Sequence, residues 1–84
     1  MKYQLREWKQ RDNGDGIEDY TATIGPEFST KIALYNYAMA VIPENYQMSY
    51  TVQTIFGHPD AYGVRDWGEV DWIDWQQEFE ELTA

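Results

Sequence analysis

From Asp66 to the end, the chain carries two stripes at helical spacing. Trp72, Trp75, Phe79 and Leu82 step by three, four and three, and so do Asp71, Asp74, Glu78 and Glu81. At about 3.6 residues per turn, each set lines up along one side of a helix. The two sides lie roughly a quarter turn apart, one aromatic and one acidic. These residues therefore predict an amphipathic second helix from Asp66 onward, with its rings against a core. Neither stripe suits a strand, whose side chains alternate faces with period two.

The rest of the chain supplies the surface for those rings to pack on. Residues 2–9 read as a strand, with Tyr3 and Leu5 on one face and Lys2, Gln4 and Arg6 on the other. Trp8 breaks that alternation and is expected on the outer face or beside a bulge. Asp12-Asn13-Gly14-Asp15-Gly16 offers residues that tolerate positive φ, which marks a hairpin turn. Residues 17–24 read as the returning strand, ended by Gly25-Pro26. Ser29 is the expected N-cap of a helix over 30–42, with Phe28 stapled onto Ala33 and Pro43 as the stop. Apolar residues nearly surround that helix, which predicts cover on more than one side. Residues 46–56 alternate from Tyr46, Met48, Tyr50, Val52, Thr54 to Phe56 and read as a half-buried strand. Residues 57–65 read as a loop. The expected order is β-β-α-β-α, an α+β fold in one domain with a mostly antiparallel three-stranded sheet.

Fifteen Asp and Glu stand against six Lys and Arg, a net charge of −9 over 84 residues. Such a surface repels phosphates, so direct binding to nucleic acid or to anionic membranes is not expected. The fourteen aromatic residues argue for a packed core rather than an acidic disordered chain. With no cysteine there is no disulfide framework, which fits a reducing cytoplasm. No secretory h-region and no membrane-length apolar run is visible.

Catalysis finds no signature. His58 is the only imidazole, and Ser29 and Ser49 are the only serines. Gly14 and Gly16 sit in a hairpin, not ahead of a phosphate-binding helix. A calcium loop over residues 11–22 fails, because Arg11 and Ala22 fall where carboxylate ligands are needed. His58-Pro59-Asp60 resembles the tripeptide of J-domain co-chaperones. That family holds it between two helices after a basic one, whereas here it follows a strand, so a turn is the better reading. No cofactor or metal is expected, and no enzymatic activity.

The charge is unevenly placed. Residues 1–42 carry a net −1 and residues 43–84 a net −8, with no cation after Arg65. Like charges three and four apart destabilise a helix by about 0.2–0.5 kcal/mol per pair. Asp66 and Glu69 would recover some of that near the helix N-terminus, but Glu78, Glu80 and Glu81 crowd its negative end. Such a row calls for cations from a partner. Asp66, Glu69, Asp71, Asp74, Glu78 and Glu81 are the candidate contacts, with Trp67 as an interface anchor. In size and acidity the chain resembles phage-encoded anti-restriction and anti-CRISPR proteins and immunity proteins against nuclease toxins. That resemblance is compositional and transfers no residue roles. The expectation is an inhibitor that mimics nucleic-acid charge and blocks a basic DNA- or RNA-binding protein or nuclease. The alternative is a structural or adaptor module without mimicry, binding through strand addition. An exposed edge strand could equally pair two copies as a homodimer.

Overall fold

A computed structural model describes residues 1–57, 61 and 67–83. Strands β1 (Lys2–Asp12) and β2 (Ile17–Phe28) form a long hairpin with partners running from Asp12 opposite Ile17 to Leu5 opposite Ile24. The turn between them is the expected one. Asp12 Oδ1 accepts the Gly14 amide at 2.9 Å and Asn13 Oδ1 accepts the Asp15 amide at 3.1 Å. Gly14 has φ 91°, a conformation that glycine adopts without steric cost. Register runs unbroken through Trp8, which takes the outer face and is 45% exposed.

Gly25-Pro26 does not end β2. The chain bulges there, with two steps of β1 facing four of β2 between Tyr3–Phe28 and Leu5–Ile24, and pairing resumes at Phe28. Proline survives at this position because β2 is an edge strand with no described neighbour on its outer side. Gly25 has φ 72°, and a Cβ there would collide with the Tyr37 ring.

Helix α1 (Lys31–Val41) starts one residue later than expected. Its cap is Thr30, whose Oγ1 accepts the Ala33 amide at 3.3 Å, while Ser29 instead accepts from Lys2 Nζ at 2.8 Å. Phe28 packs on Tyr37 with centroids 5.2 Å apart. Ile42 caps the C-terminus ahead of Pro43. Leu34 and Ala38 are fully buried, yet Ile32, Met39 and Val41 remain 51%, 51% and 40% exposed. The sheet covers one side of α1 and the last helix of the chain a second, through Tyr35 against Trp72 and Phe79, and the rest of α1 faces solvent.

Two larger corrections concern the sheet. Residues 46–49 belong to a 3-10 helix (Glu44–Ser49) in which Tyr46 and Met48 face solvent. The Tyr46 amide bonds the Pro43 carbonyl at 3.0 Å, closing a turn that the alternating pattern concealed. Strand β3 is therefore only Tyr50–Ile55. Residues 67–71, read from sequence as the start of the last helix, form a fourth strand, β4 (Trp67–Asp71). Helix α2 (Trp72–Thr83) follows with no connecting loop.

The sheet is antiparallel in the order β2-β1-β3-β4, so the α+β class holds with four strands rather than three. Helix α1 packs over β1 and β2, and α2 over β3 and β4, both on one face. Extents of 47 × 41 × 18 Å describe a slab one sheet and one helix layer thick. Leu5 and Val52 sit opposite each other under the helices, fully buried. No helix of the described residues is long and apolar enough to cross a membrane.

The seam between the helices is aromatic. Trp72 stacks on Trp75 at 5.7 Å, Trp75 on Phe79 at 5.4 Å, and Tyr35 of α1 meets Phe79 at 4.7 Å. Leu82, the fourth member of the expected stripe, is 69% exposed, at a groove it shares with Tyr3, Thr54 and Val70 of the sheet. Trp72 is 1% exposed. Replacing it with alanine is expected to cost about 3–5 kcal/mol, against about 4–13 kcal/mol for a whole domain of this length. In urea denaturation, Trp72→Ala should lose most of its stability, whereas Leu82→Ala should shift it by less than about 0.5 kcal/mol.

Candidate functional site

Helix α2 turns its acids outward because its rings must face the sheet. With Trp72, Trp75 and Phe79 buried, Asp74, Glu78 and Glu81 fall on the exposed side. Steps of four and three residues space them by about 6 and 4.5 Å along the axis. Asp74 lies in the first turn, where the helix dipole favours a carboxylate; Glu78 and Glu81 lie toward the end that opposes one, and no basic residue occupies the last turn. Gln77 donates to Glu81 at 3.5 Å, a long contact.

The remaining candidates are not in that row. Asp71 is the last residue of β4, opposite Thr51, and by strand alternation shares the face of Glu69 rather than the helix side. Glu69 lies on that sheet face. Its Oε1 is 3.2 Å from Arg6 Nε and accepts from the Thr21 hydroxyl at 3.2 Å. Arg6 donates in turn to Thr21 Oγ1 at 3.0 Å, Thr23 Oγ1 at 2.7 Å and the Thr21 carbonyl at 2.7 Å. This network ties β2, β1 and β4 together across β3. Glu69 is thus a structural residue, correcting its expected place on the acidic helix. Trp67 opens β4 opposite Ile55 and is 58% exposed, on the sheet face away from α2. Asp66 and the 58–60 tripeptide lie outside the described residues.

Glu80 is not among the candidate contacts, yet it has a role. Its Oε1 accepts from the Tyr35 hydroxyl at 2.7 Å and from Gln76 Nε2 at 3.4 Å, and the first of these bonds fastens α2 to α1. This carboxylate holds the Tyr35 hydroxyl above the usual phenol range, first through the hydrogen bond. No local signal marks a link spanning 45 residues.

The described ion pairs are Arg6–Glu69, Lys9–Glu7 at 3.1 Å and Arg11–Glu18 at 2.8 Å. All use cations of the hairpin. Among the described residues, none reaches Asp74, Glu78 or Glu81. No three His, Cys, Asp or Glu side chains among the described residues converge as a metal-binding group. No family model, curated protein or solved structure matches the chain.

One titrating pair sits at the far end of the core. Tyr50 is buried on β3 opposite Glu7, and its hydroxyl donates to that carboxylate. The bond, helped by Lys9, holds the Glu7 carboxyl below its ordinary 4.5. Burial, then the bond to Glu7 and its charge, push the Tyr50 hydroxyl above its ordinary 10. A depressed carboxyl contributes stability above its unfolded value and loses it as pH falls through the folded one. A raised phenol contributes stability below its unfolded value and loses it as pH climbs through the folded one. Stability should therefore fall below about pH 4.5 and again above about pH 10. Tyr50→Phe should cost about 1 kcal/mol at neutral pH and flatten both limbs of a stability–pH curve. Superimposable wild-type and variant curves would remove this pair from the account.

Proposed function

We propose that this protein is an acidic inhibitor that binds a basic nucleic-acid-binding protein or nuclease in place of DNA or RNA. The single observation behind this reading is the exposed row Asp74, Glu78 and Glu81 on α2, to which no ion pair is made among the described residues. Its charges recur every few ångströms, the same scale as phosphates at about 3.4 Å of axis per strand. The rigid aromatic seam beneath holds the carboxylates in place, so little order is lost on docking. Long-range attraction would mainly speed association, with a few buried anchors setting the lifetime of the complex. The reading involves no catalysis and places the protein in the cytoplasm, where cysteine-free chains are at home.

A structural or adaptor role without mimicry is the second reading. It is favoured by the outer edge of β4, which has no described strand neighbour and could accept a partner strand. The two differ in their dependence on charge. Captured partners should be basic proteins retained at low salt and released at high salt, and nucleic acid should displace them. The triple variant Asp74→Lys, Glu78→Lys, Glu81→Lys should slow association by about tenfold or more while leaving the fold intact. Binding that ignores both salt and charge reversal would favour the adaptor.

A further inference from the structure

We propose that a groove beside the acidic row receives an aromatic side chain of the partner, one set among its Lys and Arg as in proteins that stack the bases of a single strand. This rests on the charge-mimicry reading and narrows its partner class. The groove lies between α2 and the sheet and has a volume of about 220 Å³. Tyr3, Thr54 and Val70 line it from the sheet, and Trp75, Phe79 and Leu82 from α2. Met1 and Phe56 also border it, and both are exposed, as are Val70 and Leu82.

Its place on α2 joins the groove to the row. Asp74, Glu78 and Leu82 step by four and four, one ridge along the helix, and Trp75 and Phe79 form the ridge beside it. Gln76 and Glu80 meet Met39 and Tyr35 of α1, so the Asp74–Leu82 ridge is turned away from that contact. Glu78 belongs to both the row and the groove lining. Lys31, the first residue of α1, lines the groove too. It is one cation beside three carboxylates, and no ion pair joins it to them among the described residues.

Phosphate mimicry alone does not account for this surface. Large apolar side chains exposed around one groove and rimmed by carboxylates mark a contact patch. An apolar cavity of about 150 Å³ binds benzene, so the groove has the volume for one aromatic side chain. Its floor is a ring surface, with Trp75 and Phe79 stacked at 5.4 Å and their planes 4° apart. Proteins that grip a single strand combine cations for the phosphates with rings for the bases. α2 offers the matching pair side by side: carboxylates for the cations and a ring-floored groove for the ring. Binding to a duplex backbone needs the cations alone and leaves such a groove unused.

Lys peptides of one length, carrying Phe, Leu or Ala at the same interspersed positions, test the proposal against the full chain. Low-salt titrations followed through methyl signals read both affinity and place. The Phe peptide should bind about tenfold more tightly than the Ala peptide. It should shift the methyl signals of Met1, Val70 and Leu82 and leave Val41 of α1 unmoved. Leu82→Ala with Val70→Thr, which strips apolar wall without changing charge, should weaken the Phe peptide about fivefold or more and spare the Ala peptide. Leu82→Ala alone, at an exposed position, gives a smaller change of the same sign should the double variant misfold. The triple variant Asp74→Lys, Glu78→Lys, Glu81→Lys should weaken all three peptides. A Phe peptide no tighter than the Ala peptide, or one that shifts other methyls instead, overturns the groove, and mimicry stands if charge reversal still weakens every peptide. A Leu peptide as tight as the Phe peptide overturns the base-stacking partner. Peptides indifferent to charge reversal remove the mimicry reading, and the partner class with it.

Discussion

Burial of Trp72 sets the geometry of the C-terminal half. The residue stands where β4 passes into α2 without a loop, so its ring must enter the core at the first turn of the helix. Contacts with Trp75 and with Tyr35 of α1, at 5.7 and 6.2 Å, then leave α2 a single rotation about its axis. Large rings stacked at these distances cannot rotate out without opening a cavity that the thin slab has no side chains to fill. The outward direction of Asp74, Glu78 and Glu81 follows from that constraint. Their display is a consequence of packing on the opposite side of the helix.

Charge is sorted across the molecule in the same way. The cations Arg6, Lys9 and Arg11 all belong to β1, and each meets a carboxylate of the sheet. Of these pairs Arg6–Glu69 is the most enclosed, with the guanidinium also held by Thr21 and Thr23. It works as a cross-brace over four strands more than as an isolated surface ion pair, which would contribute little. α2 has no such compensation within its own length. The near-neutral hairpin and the acidic helix are thus physically distinct surfaces.

Much of this was legible in local sequence, and the failures share one cause. The 12–16 turn, the hairpin, α1 and the ring stripe of α2 were readable because each depends on residues a few positions apart. Asp74, Glu78 and Glu81 were readable for the same reason. Trp67–Asp71 was misread as helix because its acids continue the helical spacing. It is a strand because Val70 finds Val52 across the sheet and Glu69 finds Arg6, contacts far apart in sequence. Residues 46–49 were misread in the opposite sense, alternating like a strand while Pro43 nucleates a 3-10 turn.

What the sequence by itself determined is the kind of molecule: an acidic, cysteine-free α+β chain with a ring-lined helix and its charge concentrated after Pro43. Those properties are sums over residues or short-range periodicities, which survive without knowledge of neighbours. Only the tertiary structure decided which carboxylates are available. It gave Glu69 to Arg6 and Glu80 to Tyr35, and it left Asp74, Glu78 and Glu81 to solvent. That outcome depends on which distant segments meet, because a carboxylate is used up only by what folding brings against it.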